Sequence, residues 1–116
     1  MSDTNRNGRW ALILGASSGF GEACARALAR AGYDIFGVHL DRRAGLEKVE
    51  ALVRQLRESG AEAHFYNINA ADPEKMEATL DEIVPLIGSG RDIGVLMHSL
   101  AFGTLRPFVG EGATTP

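Results

Sequence analysis

A single cysteine, Cys24, stands in the 116 residues, so no internal disulfide can form. Histidine is scarce, and no His/Cys set has the spacing of a structural zinc site, so no metal is expected. No apolar run approaches the roughly 18 residues of a membrane span, which argues against a membrane protein. The first nine residues are polar and lack the apolar core of a signal peptide, so the expected location is cytoplasmic. Positive charge is not in excess. Twelve Lys and Arg face fifteen Asp and Glu, a formal net charge of −3. That balance argues against a nucleic-acid binder held by phosphate contacts. Gly-Lys-Ser/Thr is missing, which excludes the usual nucleoside triphosphate loop.

What is present alternates regularly. Trp10 to Leu14 is a short apolar run bounded by glycine and reads as a buried strand. From Phe20 to Ala31, Ala23, Ala27, Leu28 and Ala31 recur at helical spacing, and Gly32 stops the helix. Ile35 to Leu40 is a second strand. Leu46, Val49, Leu52, Val53 and Leu56 mark a second helix, closed by Gly60. Ala63 to Ile68 is a third strand. Asp72-Pro73 starts a third helix, which is expected to turn Met76, Leu80, Ile83 and Val84 inward and to bend or end at Pro85. Ile93 to Met97 is a fourth strand, and Phe102 to Thr115 has no helical period.

Strands with little polar alternation, separated by helices, imply a parallel sheet covered on both faces. The expected fold is α/β: a Rossmann-like doubly wound sheet of order 3-2-1-4, in one domain over residues 1–116 and truncated after the fourth strand. The fourth strand would leave an apolar edge through Val95, Leu96 and Met97. The chain alone is therefore expected to be poorly stable or to self-associate as a homo-oligomer.

Three glycines close the first strand. Gly15, Gly19 and Gly21 are spaced G-x-x-x-G-x-G, with Ser17, Ser18 and Phe20 between them. A strand that ends in glycines and enters a helix prepares a phosphate site. The first helical turn offers N–H groups and a positive dipole end, and glycine lets backbone approach a pyrophosphate. Ser17 and Ser18 add hydroxyl donors. The second strand runs into Asp41, twenty residues past Gly21, where a ribose hydroxyl would be met. Arg42 and Arg43 follow, and two guanidiniums suit a 2′-phosphate. The plainer alternative is that Asp41 caps the next helix and the arginines are solvated.

"GASSGFG" resembles the cofactor loop of the short-chain dehydrogenase/reductase superfamily, with Leu14 where Thr or Ser is usual. The resemblance runs from Arg9 to about Pro107 and implies an NADP(H)-binding portion of an oxidoreductase, with NAD the alternative cofactor. In that family an acid selecting NAD would fall at His39. Asn69 occupies the place of the adenine-binding acid, and the Ala70 N–H would face the ring. Ser99, Leu100 and Ala101 would border the nicotinamide end. "HSLA" from His98 resembles the enoyl-[acyl-carrier-protein] reductase branch. The resemblance implies hydride transfer to the carbonyl of a small molecule or to an acyl thioester such as an enoyl thioester.

The family's chemistry uses a tyrosine with a lysine four residues on, or further in the acyl-reductase branch. Only Tyr33, Tyr66, Lys48 and Lys75 are present, and no pair has either spacing. No catalytic residue is assigned, so whether the chain is itself an enzyme is left open. A histidine such as His98 at a strand end more often serves structure, and Cys24 reads as packed core. His64 is expected to be exposed. Glu47, Lys48, Glu50 and Arg54 read as a solvated helix face. Two other classes fit less of the pattern: a non-catalytic dinucleotide sensor, and an S-adenosylmethionine methyltransferase.

Overall fold

The computed structural model describes residues 6–98. Strands and helices alternate along them: β1 (Trp10–Leu14), α1 (Gly19–Arg30), β2 (Asp34–His39), α2 (Arg43–Glu58), β3 (Ala63–Asn67), α3 (Pro73–Ile87) and β4 (Ile93–His98). The four strands form one parallel sheet in the order β3-β2-β1-β4, the doubly wound order expected from the alternation. Ser99, Leu100 and Ala101 lie outside the described residues.

Period-two alternation on the inner strands sorts the core into two layers. Ala11, Ile13, Ile35 and Ala63 face α1 and α2, meeting Ala25, Ala29, Leu52 and Leu56. Alanine on α1 brings that helix close to the sheet. Trp10, Leu12, Phe36 and Val38 face the other way, against Ile83 of α3. Trp10 stacks on Phe36 with ring centres 4.0 Å apart, and its indole N–H donates to the Ile87 carbonyl at 2.9 Å. Gly32 and Gly60 follow α1 and α2 at φ of 101° and 103°, so both act as left-handed stops. Asp72 caps α3 by accepting from the N–H groups of Glu74 and Lys75.

Two expectations need correction. On α3 the inward stripe is Met76, Thr79, Ile83 and Ile87, at spacings of three and four. Leu80 and Val84 lie one position further round and face solvent, Val84 at 63% exposure. Thr79 is tolerated inside because its hydroxyl donates to the Lys75 carbonyl at 2.9 Å. α3 runs two residues past Pro85 and stops at Ile87. Pro85 is exposed, so water can reach the carbonyl that loses its intrahelical partner. His64 is half-buried rather than exposed. Its ring lies about 6 Å from those of both Trp10 and Phe36. The expected solvated face of α2 is exposed, and Cys24 packs against the core.

β4 is bulged where Gly94 is passed over, with Trp10 opposite Ile93 and Ala11 opposite Val95. Val95 and Met97 then pack toward α1 and α2, while Leu96 is 67% exposed. Among the described residues, β4 has a strand on one side only.

Candidate functional site

Because all four strands are parallel, their carboxyl ends share one edge. In open α/β sheets this edge, where β1 separates strands laid down in opposite directions, is the place ligands occupy. Gly15 leaves β1 at φ 86°, a left-handed conformation that a side chain strains. Its N–H and that of Ala16 both donate to the Val38 carbonyl, at 2.8 and 2.9 Å, and so tie the loop to the end of β2. Gly19 opens α1, and a side chain there would meet nothing within 4 Å among the described residues. Gly21 is buried in the first turn, while Phe20 stands out at 64% exposure. The loop thus presents bare backbone at a helix N-terminus, where the first N–H groups have no intrahelical acceptor.

Neither serine hydroxyl points its proton outward. Ser18 is the N-cap of α1: its Oγ accepts from the Gly21 N–H at 3.0 Å and donates to the Gly15 carbonyl at 2.8 Å. Ser17 donates to Asp41 Oδ1 at 2.5 Å. His39, only 4% exposed at the end of β2, places Nδ1 3.0 Å from the same oxygen. A carboxylate acceptor there calls for the tautomer with its proton on Nδ1. The Asp41 backbone is held as well, its N–H donating to Asn67 Oδ1 at 2.9 Å while Asn67 Nδ2 donates back to its carbonyl at 3.1 Å.

Arg42 is the N-cap of α2 and makes no side-chain capping bond; Arg43 is the first residue of that helix. Both are exposed, and among the described residues neither takes an ion pair. Beyond β3, exposed Asn69 accepts the Ala71 N–H on Oδ1 at 2.9 Å, an Asx turn that shapes the loop. Ala70 is half-buried against the Trp10 layer. The structure therefore brings the glycine loop, Asp41, Arg42, Arg43 and the Asn69 turn to one edge of the sheet.

Tyr33 packs against the layer of α1 and α2, and Tyr66 against the Trp10 layer. Burial, and then the Glu82 carboxylate, push the Tyr66 phenol above its ordinary value, opposite to what acid–base work near neutral pH needs. No metal-binding group of His, Cys, Asp and Glu occurs among the described residues. None of the described helices is long and apolar enough to cross a membrane.

Sequence reasoning missed two features. One is the Ser17–Asp41–His39 constellation, whose only trace is His-x-Asp at the end of an apolar strand. The other is an open groove of about 720 Å³ between α2 and β3, floored by Leu46, Val49, Val53 and Phe65. Its trace is Gly37, where the Phe65 ring lies in the space a side chain would fill.

A doubly wound parallel sheet with a glycine loop leading from β1 into a capped helix defines a Rossmann-like α/β domain. Within that class the chain belongs to the short chain dehydrogenase family, whose pattern it matches over residues 9–106. It is 34% identical over 79 residues to a 3-oxoacyl-[acyl-carrier-protein] reductase of Staphylococcus aureus, covering 68% of this chain and 31% of that protein. The chain thus spans about a third of the length of the curated relatives it matches. Among solved structures, a blue fluorescent protein from a metagenomic library in complex with NADPH superposes with a TM-score of 0.69 at 29% identity. The match covers 79% of this chain and 36% of that one. An NAD+-bound xylitol dehydrogenase superposes with a TM-score of 0.64 at 34% identity, over 78% and 32% respectively.

Proposed function

We propose that this chain is the nicotinamide-dinucleotide-binding portion of a short-chain reductase and prefers NADP(H) to NAD(H). The observation that carries this reading is the bare glycine turn at the end of β1 beside two exposed arginines without carboxylate partners among the described residues. The residues fit the group: the open space over Gly19 leaves room for a pyrophosphate against backbone. Gly15, Ser18, Gly19, Phe20 and Gly21 form its seat, with Ser17 behind the loop. Asp41 borders the adenosine ribose, and Arg42 and Arg43 take the 2′-phosphate. Asn69 and Ala70 edge the adenine, and Ser99, Leu100 and Ala101 the nicotinamide side. When bound, the cofactor supplies a hydride. The relatives' complexes with NADPH and with NAD+ support a nicotinamide dinucleotide. The 3-oxoacyl reductase relative supports a carbonyl acceptor on an acyl thioester.

Titration of the chain with NADPH, NADH and S-adenosylmethionine tests this. NADPH is expected to bind about tenfold more tightly than NADH, with no binding of adenosylmethionine. The double variant Arg42→Ala/Arg43→Ala is expected to bring NADPH down to the NADH value. Equal affinities in the native chain would overturn the NADP preference. Binding of neither dinucleotide would overturn the function.

The chain also self-associates, on this reading, through the side of β4 that has no strand beside it among the described residues, where Leu96 is exposed. Sizing over a concentration series is expected to show a species larger than a monomer, shifted toward monomer by Leu96→Lys. A native chain that stays monomeric and melts cooperatively would refute it.

A further inference from the structure

We propose that Asp41 is a positioning residue: together with Ser17 it clasps the glycine loop to the β2–α2 connection, and it does not itself receive the ribose. This deepens, and rests on, the dinucleotide-binding reading above. The inference starts from how each polar atom is spent. Ser17 has one hydroxyl proton, and that proton goes to Asp41 Oδ1 at 2.5 Å. What the Ser17 side chain can still turn toward an anion is lone pairs, which repel a phosphate. Ser17 therefore acts from behind the loop.

Asp41 Oδ1 receives both Ser17 and His39 Nδ1, the latter at 3.0 Å. Oδ2 lies over the first turn of α2, only 2.8 Å from where a Gly45 side chain would begin. The carboxylate thus points into the junction of the glycine loop, β2 and α2, with its carbonyl and N–H both locked to Asn67. A carboxylate selecting an unphosphorylated ribose would face outward with free acceptor positions. Here Oδ1 is committed to Ser17 and His39 and Oδ2 lies against the first turn of α2, while Arg42 and Arg43 are the exposed charges at the end of β2. Gly45 belongs to the same device. Without a side chain it lets the carboxylate sit down on the helix, and a side chain there would push the carboxylate end aside.

The test separates this role from direct ribose recognition and from failure of the dinucleotide reading. Amide exchange is measured on the full chain without cofactor, for the native protein and for Ser17→Ala, Ser17→Thr and Asp41→Ala. NADPH and NADH are then titrated against each. In the absence of cofactor, Ser17→Ala and Asp41→Ala are expected to speed exchange at Gly15, Ala16 and Gly21 about tenfold, leaving the β1 and β2 core amides as they were. Ser17→Thr, which keeps the hydroxyl, is expected to behave as native. On titration, the two alanine variants are expected to weaken NADPH and NADH by the same factor, about tenfold, with the ratio of the two moving less than about threefold. The proposal is overturned if Asp41→Ala shifts that ratio about tenfold or more while Ser17→Ala leaves it alone, because Asp41 then reads the ribose directly. It is equally overturned if loop exchange is unchanged in both alanine variants. Should the native chain bind neither dinucleotide, the function proposed above fails, and the exchange arm still decides the clasp.

Discussion

Replacing Asp34 with alanine should lower the unfolding free energy of this chain by about 3 to 5 kcal/mol. Asp34 opens β2 and is buried. Its carboxylate receives the Arg6 guanidinium at 2.9 Å, the Arg91 guanidinium, and the Glu62 N–H at 2.8 Å. Arg6 continues to the carbonyls of Ala29 and Tyr33, while Arg91 continues to that of Gly8 and lies over the Trp10 ring at 4.8 Å. One carboxylate thus gathers the N-terminal segment, the end of α1, the entry to β3 and the approach to β4. Its removal leaves the largely buried Arg6 guanidinium without its counter-charge and Arg91 with only the Glu62 carboxylate at 3.6 Å, which costs more than the cluster contributes when intact. A small domain has about 5 to 15 kcal/mol in total, so the variant should sit close to unfolded in water. Urea unfolding followed by far-ultraviolet circular dichroism checks this. The midpoint should fall sharply with little change in slope. Asp34→Asn, which keeps the acceptor for Glu62, should fall less. A loss below about 1 kcal/mol would show that solvent screens the cluster as it does surface pairs.

The second large effect is expected at Gly15. Valine there must adopt φ near 86°, a conformation that costs a β-branched residue about 1 to 3 kcal/mol. The loop would relieve that strain by moving, breaking the paired bonds from Gly15 and Ala16 to the Val38 carbonyl. Gly15→Val should therefore lose stability and weaken NADPH by about a hundredfold or more. Gly19→Ala makes the informative contrast. A side chain at residue 19 touches nothing among the described residues, so folding should be unaffected or slightly improved. It projects instead into the space assigned to the pyrophosphate, so binding should drop with no loss of stability. A Gly19→Ala chain that binds NADPH as tightly as the native chain would place the dinucleotide elsewhere.

Much of this architecture was legible in the residues. Each strand is a short apolar run, and each helix repeats at three and four, so both announce themselves locally. The stops at Gly32 and Gly60 and the Asp72-Pro73 start are equally local, and they sit where expected. Parallel order followed because strands separated by helices admit few right-handed arrangements. The glycine loop could be recognised because its requirement, backbone without side chains at a strand-to-helix turn, is written in one contiguous stretch.

The failures share one physical origin. Whether Leu80 or Thr79 faces the sheet depends on how α3 is rotated against Trp10 and Phe36, and the periodicity of an apolar-rich helix leaves that rotation ambiguous by one position. Whether His64 is exposed depends on an aromatic stack built from three different strands. By itself the sequence determined the order of elements, the parallel sheet and the place of the glycine loop, because those rest on neighbours along the chain. Only the tertiary structure decided where the protons of Ser17 and Ser18 go, that the Asp41 carboxylate turns inward, and that Asp34 binds two arginines from opposite ends of the chain. The Ser17 and Asp34 hydrogen bonds join residues 24 to 57 positions apart, and no local pattern records which partner packing will bring within reach.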